Sequence, residues 1–365
     1  MPDVTVLMAV HNGDAYLRPA IDSVLAQTYR DFEFLIVNDG STDSTDAICR
    51  SYPDPRVRVI TLAANQGLSA ALNIGLAETR TALVARLDAD DVAAPERLAR
   101  QRDIMVARPE LALVGGQAVA MTPDGTAIGT VRRPLEPASI LWASLFDNPF
   151  AHPTVMFRTA VVRDELGGFC ADYDPFAQDY DLWCRVMERH PVANIPDRLI
   201  RYRAHGASIM GVLEGGPAQS YSHRFTEIAR TLLMRQARRL FDTDTLSDDD
   251  LHLIPGLVLG FRRDDVRRFL DLFERLLREF RERGHATASR DFALTLARQF
   301  DALALRVTPH ARGASAHIYA HAVRRHPEIV RYVSWPRAAA LVLFGSRGRG
   351  LVADWTRRYL PGAVD

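Results

Sequence analysis

Asp88, Asp90 and Asp91 fall within four positions of one another in Ala85-Arg86-Leu87-Asp88-Ala89-Asp90-Asp91, at the end of an apolar run. Carboxylates spaced Asp-x-Asp beside a strand end can bind Mg2+ or Mn2+, which takes one or two protein oxygens and fills its shell with phosphate and water. Helix caps and solvated turns use the same spacing, so position has to decide between the readings. Two earlier apolar runs end in polar groups of their own: Val4 to Val10 in His11-Asn12-Gly13, and Phe32 to Val37 in Asn38-Asp39-Gly40. Asp39 can face a ligand or cap the next helix from an Asn-Asp-Gly turn, and His11 can equally be a turn residue. Several carboxylates in one pocket repel a diphosphate unless a divalent cation stands between them, and Asp88-Ala89-Asp90 is the natural place for it. Asp179 and Asp181 form a further acidic pair in Ala177-Gln178-Asp179-Tyr180-Asp181-Leu182-Trp183. A carboxylate within hydrogen-bond reach of a hydroxyl can act as its general base. Acids in a first helical turn also simply favour the helix dipole.

What the chain lacks narrows the chemistry. All 45 basic residues are arginine, so a Walker A loop, a lysine Schiff base and a lysine general base are excluded. No Gly-x-Gly-x-x-Gly follows the first run, which leaves a dinucleotide on a helix N-terminus poorly supported. The formal net charge is zero, against a nucleic-acid partner bound by bulk charge. Cys49, Cys170 and Cys184 are far apart and odd in number, which fits neither a disulfide framework nor a cysteine-rich zinc site and favours a reducing compartment. No apolar run approaches the ~20 residues of a membrane span, and the start lacks the basic residues of a signal peptide, so a cytoplasmic location is expected.

The elements that must position these residues read clearly in the first ninety positions. Val4 to Val10 is a continuous apolar run, the pattern of a strand buried on both faces of a parallel sheet. Leu17, Ile21, Val24 and Leu25 recur at helical spacing, with Pro19 in the first turn. Strands are predicted over Phe32 to Val37, Val57 to Leu62 and Ala82 to Leu87, with helices from about Ser44 and through Leu68 to Leu76. The alternation predicts an α/β doubly wound, mostly parallel sheet, with ligands beyond the carboxyl ends of its strands.

Val6-Leu7-Met8-Ala9-Val10-His11-Asn12-Gly13, Ser23 to Tyr29, Ile36-Val37-Asn38-Asp39-Gly40-Ser41-Thr42-Asp43, Asn65-Gln66-Gly67-Leu68, Leu72-Asn73 and the Asp88 to Asp91 group, taken in order, resemble the family 2 inverting glycosyltransferases of the GT-A fold. The resemblance covers roughly residues 3 to 205. It implies that Ala9, His11 and Asp39 line the nucleoside pocket, that Asp88 lies near the ribose and diphosphate, and that Asp90 ligates the metal. Many relatives have Arg where this chain has Leu72, and Arg86 is the expected substitute charge. The Asp179 segment matches the family's Glu-Asp segment, which implies that Asp179 is the base, with Gln178 where many relatives have Glu. Asn148 to Thr154 and Leu166 to Phe169 resemble acceptor-side segments, in which His152 is either a sugar contact or a structured turn. His205 aligns with a histidine that in some relatives reaches the metal or diphosphate, a surface loop being the alternative.

Residues 1–210 carry 20 arginines against 27 acids and residues 211–365 carry 25 against 18. The sign changes at the loose stretch Gly211 to Ser220, which marks the expected boundary between a catalytic domain at 1–210 and a helical domain at 211–365 of unknown role. Val266, Phe269, Leu270, Phe273, Leu276, Leu277 and Phe280 trace the apolar stripe of one helix, and Thr231 to Leu240, Phe292 to Leu305 and His317 to Arg325 suggest others. His310, His317, His321 and His326 read as surface histidines rather than a zinc site, since no third ligand is evident. Six arginines between Arg331 and Arg358 flank the apolar segment Ala338 to Phe344, with Trp335, Trp355 and Tyr359 nearby, which either packs on the helices or attaches peripherally to an anionic membrane surface. The expected activity is metal-dependent transfer, with Mn2+ or Mg2+, of a sugar from a nucleotide diphosphate donor, UDP-linked by expectation, to a hydroxyl of a bacterial-type glycan or lipid-linked acceptor. A nucleotide-sugar pyrophosphorylase and a non-catalytic glycan-binding protein are the alternatives.

Overall fold

The computed structural model describes residues 2–174, 177–205, 219–241, 246–251, 253–254, 265–307 and 312–333. Gly211 to Pro217, His310 and the arginine-flanked segment Ala338 to Phe344 lie outside the described residues. Two compact units divide the chain. One takes Met1–Arg133 with Phe150–Phe225, the other Pro134–Pro149 with Thr226–Val364.

The first unit opens with β1 (Val4–Val10), α1 (Leu17–Leu25), β2 (Phe32–Asn38), α2 (Thr45–Arg50), β3 (Val57–Thr61), α3 (Leu68–Glu78) and β4 (Leu83–Arg86). These four strands pair in parallel in the order β3-β2-β1-β4, with Val10 opposite Asn38 and Leu7 opposite Arg86. Every residue of β1 is buried because both faces are covered. Val4, Val6, Met8 and Val10 join the core that holds Leu17, Ala20, Ile21 and Val24 of α1. On the opposite face Leu7 and Val37 meet α3 at Gly75, where any side chain would collide with Leu7.

Then follow β5 (Val92–Ala93), α4 (Arg97–Ala107), β6 (Leu113–Met121), β7 (Ala127–Val131) and, after α5 (Pro137–Ala143) in the second unit, β8 (Met156–Arg158), α6 (Gln178–Arg189) and β9 (Val192–Arg203). Among the described residues nine strands form one sheet. β8 runs antiparallel between β4 and β6, β9 lies parallel beside β6, and β5 closes the edge. The carboxyl ends of β1, β2 and β4 share one edge, and the loops that leave them carry His11, Asp39 and Asp88.

The second unit is helical: α5, α7 (Gln219–Leu240) from Thr226 onward, α8 (Asp248–Leu251), α9 (Asp265–Glu282), α10 (Arg290–Val307) and α11 (Arg312–Arg325). The whole apolar stripe of α9 is buried. Trp142 of α5 packs its ring against Phe273 and Phe280 of α9 at 5.3 and 5.2 Å and against Phe292 of α10 at 6.1 Å. Its indole N–H donates to Gln299 Oε1 at 2.7 Å, while Asp291 Oδ2 accepts the backbone N–H groups of Leu135 and Glu136 at 3.0 Å each. His326 is a buried residue and not a surface one. Both His326 and His321 donate from Nε2 to Glu274 Oε1 at 2.8 Å.

Candidate active site

The turn after β1 is built around Asn12, whose φ of 50° is tolerated because a short amide side chain can hydrogen-bond locally. Its Oδ1 accepts the Thr42 N–H at 2.9 Å and its own N–H donates to Ser41 Oγ at 2.9 Å, tying the β1 and β2 loops together. His11 Nδ1 donates to the Asp39 carbonyl at 2.7 Å, which leaves Nε2 as acceptor for the Asn12 amide at 3.2 Å. The Asp39 carboxylate is almost fully buried and accepts two backbone N–H groups, Gln66 on Oδ1 at 2.8 Å and Gly67 on Oδ2 at 3.0 Å. Both donors lie just ahead of α3, so Asp39 anchors that loop. Gly67, at φ 93°, leaves no room for a side chain beside Asp174.

Arg86 closes β4 with its side chain buried. The guanidinium donates to the Leu87 carbonyl, to Asp88 Oδ1 and, from Nε at 3.0 Å, to His152 Nε2. Arg97 of α4, also fully buried, donates to the Arg86 and Val155 carbonyls. Burial, reinforced by the Arg86 charge, lowers its pKa to about 9. The Asp88 side chain is the more open end of this chain of contacts, 27% exposed.

Asp90 and His205 meet directly, with Oδ2 and Nε2 2.9 Å apart. Burial, and secondly the Asp88 charge, raise the Asp90 pKa, while the His205 contact lowers it. Arg203 of β9 braces the loop: its backbone N–H donates to Asp91 Oδ1 at 2.8 Å, and its guanidinium donates to the Asp90 and Pro123 carbonyls at 2.8 and 2.6 Å. The Tyr16 ring lies under the Arg203 guanidinium at 4.6 Å and against the His205 ring at 4.9 Å. Asp91 is fully buried, and its Oδ2 has no hydrogen-bond partner among the described residues. Burial and then the charges of Asp88 and Asp90 push its pKa well up.

Asp179 enters from the first turn of α6. Burial raises its pKa to about 6, the Tyr180 N–H on Oδ1 at 2.7 Å works against this, and Asp88 adds to it. Oδ2 lies 3.9 Å from His152 Nδ1. His152 is held neutral, its pKa lowered to about 3 by burial and by Arg86, so this is not an ion pair. Asp181, two positions on, points elsewhere. It is buried and paired with Arg185 at 2.8 Å, and Arg185 in turn donates to the Leu166 and Gly168 carbonyls.

The residues singled out from sequence thus form three connected groups: His11 with Asp39, Arg86 with Asp88 and His152 beside Asp179, and Asp90 with His205. Arg203, Arg97 and Tyr16 were missed, since a buried arginine in a sequence with 45 looks like any surface one. The only local signal for Arg203 is its place in Arg201-Tyr202-Arg203-Ala204-His205, two positions before the singled-out His205. Among the described residues no three His, Cys, Asp or Glu side chains converge as a ready-made metal cage.

The sequence model described as Glycosyl transferase family 2 matches residues 5–151. The chain is 36% identical over 211 residues to the O-antigen biosynthesis glycosyltransferase WbnJ of Escherichia coli, covering 56% of this chain and 81% of that protein. The chain belongs to glycosyltransferase family 2. This glycosyltransferase is also 33% identical over 206 residues to the amylovoran biosynthesis glycosyltransferase AmsE of Erwinia amylovora, covering 55% of its own length and 76% of AmsE. Among solved structures, S. aureus TarS 1-349 superposes with a TM-score of 0.50 at 18% identity, over 91% of this chain and 89% of TarS 1-349. That likeness gives the family 2 enzyme its GT-A-type fold.

Proposed function

We propose that this glycosyltransferase moves a sugar from a nucleoside diphosphate donor, UDP-linked, to a hydroxyl of a bacterial polysaccharide or glycolipid, with inversion at the anomeric carbon. The observation that carries the reading is Asp179, a half-buried carboxylate whose pKa is raised to about 6, on the helix facing the Arg86–Asp88 group. The names of WbnJ and AmsE support a polysaccharide acceptor.

In the proposed reaction the acceptor oxygen attacks the anomeric carbon as its proton passes to Asp179. The bond from that carbon to the phosphate oxygen breaks, and the nucleoside diphosphate leaves. Ala9, His11 and Asp39 frame the nucleoside side of the pocket, and Asp88 with Arg86 stands beside the ribose and diphosphate. Asp90 and His205 would hold a divalent cation, since they bring a carboxylate oxygen and an imidazole nitrogen, both acceptable ligands for Mn2+, to within 2.9 Å of each other. Such a cation, when bound, supplies positive charge against the leaving diphosphate.

A thermal-shift panel of UDP, GDP and TDP sugars tests donor and metal together, because a ligand selective for the folded state raises its apparent stability. UDP-sugars with Mn2+ should stabilise most, EDTA should abolish the shift, and Asp90→Asn should prevent its recovery on adding Mn2+. Equal stabilisation with and without metal would refute the metal assignment, and a larger shift with a GDP or TDP sugar would refute the base.

A further inference from the structure

His152 does more than fill a turn. It sits in the tight turn that enters β8, its ring packed edge-on to Phe169 and tilted against Trp183, with ring centroids 6.0 Å apart in both cases. One ring nitrogen is committed: Nε2 lies 3.0 Å from Arg86 Nε. An arginine Nε–H is always a donor, so Nε2 must accept and a neutral ring must carry its proton on Nδ1. That Nδ1–H is buried and has no hydrogen-bond partner among the described residues, a rare condition for a donor in a folded protein. The carboxylate oxygen paired with it is Asp179 Oδ2 at 3.9 Å, beyond a formed hydrogen bond. Contacts of this kind are commonly long in a resting site and tighten as charge develops.

We propose that His152 is the positioning residue of the base: Arg86 fixes the proton on its Nδ1, and the Nδ1–H closes onto Asp179 Oδ2 when that carboxyl ionises. Asp179 is then held from two sides, by the Tyr180 N–H on Oδ1 and by His152 on Oδ2. The same contacts run back through Arg86 to Asp88, so the side chain beside the proposed diphosphate site also sets the tautomer that orients the base. The inference rests on the reading of Asp179 as base. Of the charges near Asp179, Asp88 opposes its ionisation and Arg133 favours it.

The test uses the full chain labelled with 15N-histidine and 13C-aspartate, with wild type, His152→Gln, His152→Asn and Asp179→Asn compared. Glutamine keeps an acceptor where Nε2 stands and loses the donor at Nδ1, whereas asparagine places an amide N–H near Nδ1 and releases Arg86. Wild type should show the Nδ1–H tautomer unchanged from pH 5 to 8. The Asp179 carboxyl, assigned by its loss in Asp179→Asn, should titrate about one pH unit higher in His152→Gln and within a few tenths of wild type in His152→Asn. Hydrolysis of the UDP-sugar giving the largest thermal shift should fall ~10-fold or more in kcat for His152→Gln, with KM unchanged, and far less for His152→Asn. An Nε2–H tautomer, or an Asp179 titration indifferent to His152→Gln, overturns the proposal. Should His152→Gln fail to fold, the wild-type tautomer and His152→Asn still decide it. Full hydrolysis by Asp179→Asn would show instead that the base lies elsewhere, whatever the titrations do.

Discussion

At the scale of single residues, the two acids of the α6 first turn separate into different roles by their surroundings. Asp179→Asn should leave nucleotide binding intact and cut transfer by ~10²-fold or more, read as kcat at saturating donor. Asp181→Asn should cost far less in chemistry but weaken the Arg185 clamp by about 1.5–3 kcal/mol, visible as a lower urea midpoint. A base works only when deprotonated, and burial holds Asp179 near pH 6, so activity should climb as pH rises through about 6 and level off above it. A flat profile from pH 5 to 8 would remove Asp179 from the base role. Asp88 and Asp90 could be singled out from their place just past a strand end, and Asp179 from the family resemblance of its helix start, because acids at such positions also serve as caps and dipole partners. Their supports could not, since nothing local tells that Arg97 is dry, or that His152 has one nitrogen taken by Arg86 sixty-six positions earlier.

At the scale of elements, β1, β2 and β4 were readable because burial on both faces makes each a mostly apolar run, and the half-buried edge strand β3 because Val57 and Val59 alternate with Arg58 before Ile60. β6, β8 and β9 give no such pattern. β6 contains Gly115 and Gly116, β8 is three residues long, and β9 includes Pro196 with an exposed stretch between its buried halves. Their pairing is set by distant partners rather than by their own residues. The strand end at Arg203 matters most for the site: Arg203→Met should free the loop at Asp90 and weaken Mn2+-dependent UDP affinity by ~10-fold, measured by calorimetry, with little change in metal-free binding. In the helical unit Glu274 is opposed by burial but drawn down to about 2 by the N–H donors of His326 and His321. Its folded value lies below the ordinary 4.5, so its stabilisation is complete above pH 4.5 and lost as pH falls from 4.5 towards 2. Urea midpoints across that window should therefore fall less steeply in Glu274→Gln than in wild type, and parallel slopes would dismiss the clamp.

At the scale of the whole molecule, the catalytic unit is interrupted by residues 134–149, which pack with helices more than a hundred positions further on. Trp142→Ala should therefore destabilise the helical unit by ~3–5 kcal/mol, seen as an earlier transition in its denaturation, although the residue lies well ahead of that unit in sequence. A chain cut at 210 should expose Trp142, with red-shifted tryptophan emission and strong binding of a hydrophobic dye. Sharp, blue-shifted emission from the shortened chain would contradict this. The same interruption sets a schedule on the ribosome. Trp142 leaves the exit tunnel some 150 residues before Phe292, its last aromatic neighbour, which at ~5–20 residues per second is a wait of about 7–30 s. For most of that interval Trp142 and Phe146 have no aromatic partner but each other, so the nascent chain should recruit a holding chaperone until the helices that carry Phe273, Phe280 and Phe292 are made.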